Sequence, residues 1–310
     1  MTSLSINEAA QILRDGGLVA FPTETVYGLG ANALDAAAVA RIYEMKGRPQ
    51  TSPLIVHASS IQMARTLVAE WPREAEELAQ RWWPGPLTLV LPKASNIPDI
   101  VTAGLPTVGV RVPAHPVALE LIEACGLPLA APSANRFKEL SPTTAGHVKA
   151  AFGGSIPVLD GGPTRVGIES TVVSIANGKI TLLRPGMIAL GEIEQAVALE
   201  GAHPAGAHFV GAHPAPGMAA RHYSPRTPLL LVNTPAEMPD RRGAYVWWNT
   251  SGLTARSLRM PDDPIAYARR IYGVLHDLDE ENWPWIAVEA PPDTSGWAAI
   301  ADRLKRAASK

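Results

Sequence analysis

The groups able to do chemistry are concentrated in two neighbouring stretches. FPTETVYGLGANA, residues 21–33, places the hydroxyls of Thr23 and Thr25 and the phenol of Tyr27 among glycines at the exit of an apolar strand. KGRPQTSPLIVH, residues 46–57, follows a short helix and adds Lys46, Arg48 and His57. Between apolar runs, each such group costs about 2 kcal/mol or more to desolvate unless a ligand, water or backbone meets it, so a polar ligand is expected here. Arg48 lies beyond the glycine that ends the helix and is stiffened by Pro49, as a fork for phosphate or carboxylate should be. Lys46, in the last turn, either answers the negative end of the helix dipole, worth under about 1 kcal/mol, or faces the same ligand.

Further cations stand on rigid elements. Arg111 sits mid-strand in VGVRVP with no acid nearby in sequence, so it meets either a ligand anion or a distant acid. Arg184 ends the strand of ITLLRPG. With Arg48, these arginines all have prolines close by, which suggests an anionic ligand. Ser133 and Asn135 close LPLAAPSANRF. Ser141 and Thr143 flank Pro142 and read as the N-terminus of a helix over AGHVKAAF, serving as a simple cap or as a phosphate seat. Ser170 and Thr171 open a strand after the glycine-rich VLDGGPTRVGIES.

Several decoys are set aside. Gly28, Gly30 and Ala33 match G-x-G-x-x-A, but PTETVY intervenes after the strand, and Lys46 and Arg48 stand where a dinucleotide site places an acid. Gly178-Lys179 lacks the rest of a P-loop, and no Ser/His/Asp triad is evident. His203, His208 and His213 are five apart, a spacing that no helix or strand aligns on one side. Cys125, the single cysteine, reads as a small buried hydrophobe and excludes an intramolecular disulfide or Cys-based zinc cluster.

The positioning elements follow from caps and breakers. Ser5 with Glu8 forms a capping box for a helix ended by Gly16 and Gly17, and Asp35 caps AAAVARIYEM, which stops at Gly47. Residues 59–83 read as one or two helices, with Trp82 and Trp83 as core aromatics, before the strand LTLVLP. From about residue 198 the chain turns to Ala, Gly, Pro and His, a linker by composition. Its end, PAPGMAARHYSP at 214–225, carries Arg221, His222 and Tyr223 and suits a lid. From Thr227 strands alternate with helices, as in a small three-layer α/β domain without a catalytic constellation of its own. Expected boundaries are 1–197, 198–226 for linker or lid, and 227–310.

Of 310 residues, 46% are hydrophobic and 18% charged, an ordinary globular composition. Apolar runs fall short of the roughly 20 residues of a membrane helix, so the expectation is a cytoplasmic protein without membrane contact. A formal net charge of −2 advertises no basic nucleic-acid surface.

PTETVYGLGANA, KGRPQTSPLIVH, PGPLTLVL, VGVRVPAHP, APSAN with SPTTA, IESTVVSI and LRPGMI together resemble the YrdC-like domain of threonylcarbamoyl-AMP synthases. PGMAARHYSP and the α/β tail are similar to the long form, with a linker and accessory domain. The resemblance covers essentially the whole chain. It implies a twisted, open, mixed α/β sheet with a deep cationic concavity, followed by the smaller C-terminal domain. It also implies a reaction of L-threonine, bicarbonate and ATP, with Mg²⁺, giving threonylcarbamoyl-adenylate and pyrophosphate. The product would pass to a tRNA threonylcarbamoyl transferase complex for modification of tRNA. By the same resemblance the threonine pocket comprises Thr25, His57, Arg111, the backbone at Ala131, and Ser170. The ATP site comprises Arg48, Ser52, Thr107, Ser133, Ser141 and Arg184, with Tyr223 closing over it, and Lys46 and Arg48 are the charge-neutralising catalytic pair. No dedicated metal ligands are implied. Ser52 stands where the family commonly has Asn, and GWAAIADRL departs from a usual GLG-type turn.

Three alternatives belong to other classes. A carbamoyl-adenylate enzyme of the hydrogenase-maturation type shares the domain, but its zinc-finger cysteines are missing here. A double-stranded RNA-binding module, with weak RNA affinity, would exploit a cationic concavity and show salt-sensitive binding. An ATP-binding regulatory protein would bind nucleotide without threonine-dependent release of pyrophosphate.

Overall fold

The computed structural model describes residues 4–176, 178–197 and 222–309, and the backbone of 203–204. Most of the expected linker, including Arg221 and the three spaced histidines, therefore lies outside the described residues or is described by backbone only.

In chain order, α1 (Ile6–Arg14) leads to β1 (Val19–Phe21), β2 (Gly28–Asn32), α2 (Ala36–Lys46) and β3 (Ile55–His57). Next come α3 (Ile61–Arg65), α4 (Arg73–Trp82), β4 (Leu87–Pro92), α5 (Asp99–Thr102), β5 (Thr107–Arg111), α6 (Pro116–Cys125) and β6 (Leu129–Ala130). α7 (Ala145–Phe152), β7 (Thr171–Ala176), β8 (Lys179–Arg184), α8 (Leu190–Ala196) and β9 (His203–Pro204) complete the first unit. The second holds β10 (Leu229–Val232), β11 (Ala244–Trp247), β12 (Arg256–Arg259), α9 (Pro264–Glu280), β13 (Ile286–Glu289) and α10 (Ala298–Ala308).

Local chemistry accounts for the ends that matter. Ser5 Oγ accepts from the Glu8 amide at 3.3 Å while Glu8 accepts from the Ser5 amide at 2.8 Å, a reciprocal cap worth about 1 kcal/mol. Asp35 accepts from the amides of Ala37 and Ala38. Gly47 takes the left-handed conformation, φ 61°, which ends α2 and turns the chain so that Arg48 leaves the helix axis. The helix over AGHVKAAF forms as expected, but its cap differs: α7 begins at Ala145 and is capped by Thr144, whose Oγ accepts from the His147 amide. Ser141 is left for other work. β12 was also absent from the sequence reading, because RSLR is an exposed, charged edge strand with no apolar alternation.

The first sheet is mixed and nine-stranded, in the order β1-β2-β6-β3-β5-β4-β7-β8-β9. Its register positions chemistry. Parallel pairing of β3 with β5 sets His57 opposite Arg111, and antiparallel pairing of β3 with β6 sets Leu129 opposite His57. Apolar clusters anchor both faces: α1 and α6 contribute Leu13, Leu121 and Ile122, and α2 and α4 contribute Ile42 and Leu78. Cys125 is buried in the former, as expected of a small hydrophobe.

The second sheet is parallel and four-stranded, in the order β10-β13-β11-β12. Helices α9 and α10 pack together against Val246, Ile286 and Val288 of this sheet. The same cluster takes in Val26, Leu140, Ile168 and Tyr223 from the first unit and the linker end. Each such aliphatic side chain contributes roughly 1.5–3 kcal/mol when fully buried, so the helix layer is bonded to the first unit as to its own sheet.

Candidate active site

A pocket opens where the strand ends of the first sheet meet the linker end, with about 540 Å³ of empty space counting the part open to solvent. Its lining includes Thr25, Arg48, His57, Arg111, Ala131, Ser133, Ser170, Arg184 and Tyr223, so most of the residues singled out from sequence converge.

The PTETVY turn is self-supporting. Thr23 Oγ accepts from the amides of Thr25 and Val26, both at 3.2 Å, and donates to the Val26 carbonyl at 2.6 Å. Its proton is thereby spent, so in the 2.8 Å contact between the Thr23 and Thr25 hydroxyls Thr25 is the donor. Thr25 Oγ also accepts from Arg111 Nη1 at 3.0 Å. What Thr25 can still offer a ligand is a lone pair. Tyr27, in contrast, turns away and donates to the Gly162 carbonyl, a structural use.

Arg111 has found the distant acid. Its Nη2 lies 2.6 Å from Glu24 Oε1 with both side chains buried, and its Nε donates to the Gly85 carbonyl at 3.1 Å. It lines the cavity nonetheless, so the two possibilities left open by its sequence position are compatible. His57 is buried beside it. Burial, then the Arg111 charge, pushes the imidazole down to about 3, so the ring is neutral at physiological pH. Its Nδ1 is buried with no hydrogen-bond partner among the described residues.

Arg48 projects from the α2 loop, with Nη2 donating to Ser52 Oγ at 2.8 Å and to the Pro53 carbonyl at 3.0 Å. Ser52 is thus a support for Arg48 and does not itself line the cavity. Burial lowers the guanidinium to about 10, which leaves it charged at neutral pH. Lys46 points elsewhere: its Nζ donates to the carbonyls of Ser133, at 2.6 Å, and Asn135, gripping the PSAN turn from behind rather than lining the cavity. Burial, with Arg48 nearby, holds it well below an ordinary lysine pKa.

Ser170 Oγ lies 2.8 Å from Thr88 Oγ and accepts from Arg184 Nη2 at 3.0 Å, and Arg184 Nε donates to the Ser170 carbonyl. Ser141 donates to Glu169 Oε1 at 2.5 Å. Tyr223 adopts φ 62°, and its hydroxyl is buried without a hydrogen-bond partner among the described residues. The linker end is pinned by Ser224, which bonds to the carbonyls of Lys138 and Ala307 on the two units. Ser141, like Ser52 and Lys46, is not part of the cavity lining. Thr107 stands apart as well. It opens β5, at the opposite end of the strand from Arg111, and is not part of the cavity.

Sequence reasoning missed Glu24, Glu169, Tyr272 and Arg303. Glu169 lines the cavity and accepts from Tyr272 at 3.2 Å and from Arg303 Nε at 2.7 Å, both from the C-terminal unit. Burial opposes its ionisation, but Arg303 and Arg184 outweigh it and keep the carboxyl below its usual range. A hint was present: TET and IEST each bury an acid among the hydroxyls already singled out. Arg303, within ADRLKRAA, reads as one more cation on a solvated helix face.

Comparison with known proteins agrees with this geometry. Residues 11–186 match the family described as "Telomere recombination", and residues 188–309 match "Threonylcarbamoyl-AMP synthase, C-terminal domain". A threonylcarbamoyl-AMP synthase of Pyrococcus abyssi is 44% identical, with 97% of this chain and 93% of the relative aligned. One from Bacillus subtilis is 41% identical over 98% and 92%, respectively. The crystal structure of P. abyssi Sua5 complexed with L-threonine superposes with a TM-score of 0.91 at 42% identity, covering 98% of this chain and 94% of that one. With both units matched in order and across nearly its full length, the chain belongs to the threonylcarbamoyl-AMP synthase family.

Proposed function

We propose that the chain is a nucleotidyltransferase that makes threonylcarbamoyl-AMP and pyrophosphate from L-threonine, bicarbonate and ATP, for threonylcarbamoyladenosine modification of tRNA. The observation that carries this reading is a single cavity shared by Thr25, His57 and Arg111 with Arg48 and Arg184. The first group suits an amino acid. Arg111 faces a carboxylate, and Thr25, its proton committed to Thr23, can only accept, as an ammonium requires. Ala131 and Ser170 border the same space. Arg48 and Arg184, with Ser133 and Tyr223, suit a polyphosphate, for which guanidinium forks are matched in shape and charge.

The threonine amine and bicarbonate combine to a carbamate with loss of water. A carbamate oxygen then attacks the α-phosphorus, forming the mixed anhydride as the bond to pyrophosphate breaks. Such a displacement needs alignment and charge neutralisation rather than a protein nucleophile. Arg48 supplies a cation whose described hydrogen-bond partners are neutral oxygens. Lys46 acts at one remove, by holding the turn that presents Ser133.

Among the described residues no group of three His, Cys, Asp or Glu side chains is placed to hold a metal ion, and Glu24 and Glu169 are both engaged by arginines. That donor set fits Mg²⁺ arriving on the ATP phosphates, where it neutralises charge, rather than a protein cage. The product would be handed to a tRNA threonylcarbamoyl transferase complex, the downstream partner of this reading.

Pyrophosphate release from MgATP tests the proposal. Release should require both L-threonine and bicarbonate. Release with carbamoyl phosphate in their place would assign the chain to carbamoyl-adenylate chemistry, and nucleotide binding without release would make it a binding protein.

A further inference from the structure

Glu169 is out of place in a cavity for polyanions. Its carboxylate forms part of the wall, and an unbalanced charge there would repel phosphate oxygens across a poorly screened gap. It has a scaffold role, since it accepts from Ser141 at 2.5 Å, a hydroxyl that the sequence assigned to the nucleotide site and that stands behind the cavity wall. Arg184 of the first unit adds to its counter-charge, but the ion pair itself comes from the other unit. Arg303 of α10 is 1% exposed and donates through Nε to Glu169 at 2.7 Å, through Nη1 to Asp302 at 2.6 Å and through Nη2 to the Pro185 carbonyl at 2.9 Å. Its guanidinium also lies 5.1 Å from the centroid of the Tyr223 ring. Arg303 touches the ligand-facing groups but does not line the cavity itself.

We propose that the C-terminal domain completes the anion site electrostatically: Arg303 is a positioning residue that neutralises Glu169, letting this carboxylate hold Ser141 without repelling the ligand's phosphates. The assignment rests on the nucleotide reading above. It gives the accessory domain a part in the first domain's chemistry, one that a separately folded appendage would not have.

The charge of the ligand separates this role from simple packing. Full-length wild type, Arg303→Met, Glu169→Gln and the double variant would be titrated calorimetrically with α,β-methylene-ATP, pyrophosphate and adenosine. Arg303→Met is expected to weaken the ATP analogue and pyrophosphate about 30-fold, as for loss of one partner in a buried charge pair, while adenosine changes less than about twofold. Adding Glu169→Gln should return both anions to within about threefold of wild type, because the bare carboxylate is gone. An equal loss for adenosine, or a double variant no better than Arg303→Met, would overturn the proposal. Should Arg303→Met fail to fold, the double variant decides, since it buries no unpaired charge there: a loss of about 30-fold for the anions in that protein would contradict it. Wild type that binds pyrophosphate but not the ATP analogue would refute the nucleotide reading instead, and the pyrophosphate titrations would still judge Arg303.

Discussion

Two buried arginine–glutamate pairs border the cavity, and they face it with opposite signs. In the pair from the first domain, Arg111 lines the cavity and Glu24 stands behind it. In the pair across the domain seam, Glu169 lines the cavity and Arg303 stands behind it. Burying either pair costs desolvation that the mutual attraction roughly offsets, so neither is explained by stability alone. On the proposed function, the first presents a cation to the amino acid and uses an acid to aim it. The second presents an acid to a hydroxyl of the protein and uses a cation to mask it. A buried ion pair thus has a working side and a supporting side, and its orientation, more than its presence, tells what it does.

Substitutions on the working sides should separate the pairs most sharply. Arg111→Ala removes the carboxylate partner and leaves Glu24 buried beside the amino acid pocket, and threonine-dependent turnover should fall by about 1000-fold or more. Near-normal turnover in a threonine titration would remove Arg111 from the site. Arg184→Ala should act on the phosphate side, lowering kcat/KM for ATP about 100-fold with the KM for threonine changed much less. A loss divided equally between the two substrates would mean that the two parts of the cavity are not distinct. Tyr223→Phe removes only a buried hydroxyl with no described partner, so stability should hold while the KM for ATP rises about fivefold if that hydroxyl meets the nucleotide. An unchanged KM would leave the ring, not the hydroxyl, as its contribution.

The smallest effect lies outside the pairs, at the domain seam. His147 and His276 stack with centroids 3.9 Å apart, and burial, with His276 alongside, holds His147 near 4. A depressed histidine stabilises the folded state fully above its unfolded value of 6.5, and that contribution is lost as pH falls from there toward 4. Melting temperature should therefore be flat above about pH 7 and decline below about 6.5, with a shallower decline in His147→Asn. Identical acid limbs for wild type and variant would show that protonation of this ring does not govern the seam.

How much of this could be read in advance divides along the same lines. Arg48, Arg111 and Arg184 were legible because each is a charge on a stiff element beside proline, in a place where a charge needs a reason. The caps at Ser5 and Asp35 and the stop at Gly47 were legible because their geometry is local. What was missed is long-range. That Glu24 meets Arg111 depends on the register of β5 against its neighbours, and no spacing within TETV encodes it. Arg303 is seen as buried only once α10 is docked on the first unit. The bond from Ser141 to Glu169 was not foreseen, neither as a cap nor as a phosphate seat, because that partner lies beyond a loop, and Lys46 gave no sign that its ammonium would grip carbonyls of the PSAN turn. β12 lacked the apolar alternation by which strands are found.

The central claim, that one cavity joins threonine, bicarbonate and ATP, is tested most directly by its product. The full chain would be supplied with L-threonine, ATP, Mg²⁺ and ¹³C-bicarbonate, and the adenylates analysed by mass spectrometry alongside pyrophosphate. The account predicts threonylcarbamoyl-AMP carrying a single label, formed in step with pyrophosphate. Pyrophosphate released with an unlabelled threonyl-adenylate, or with no adenylate of threonine at all, would contradict it.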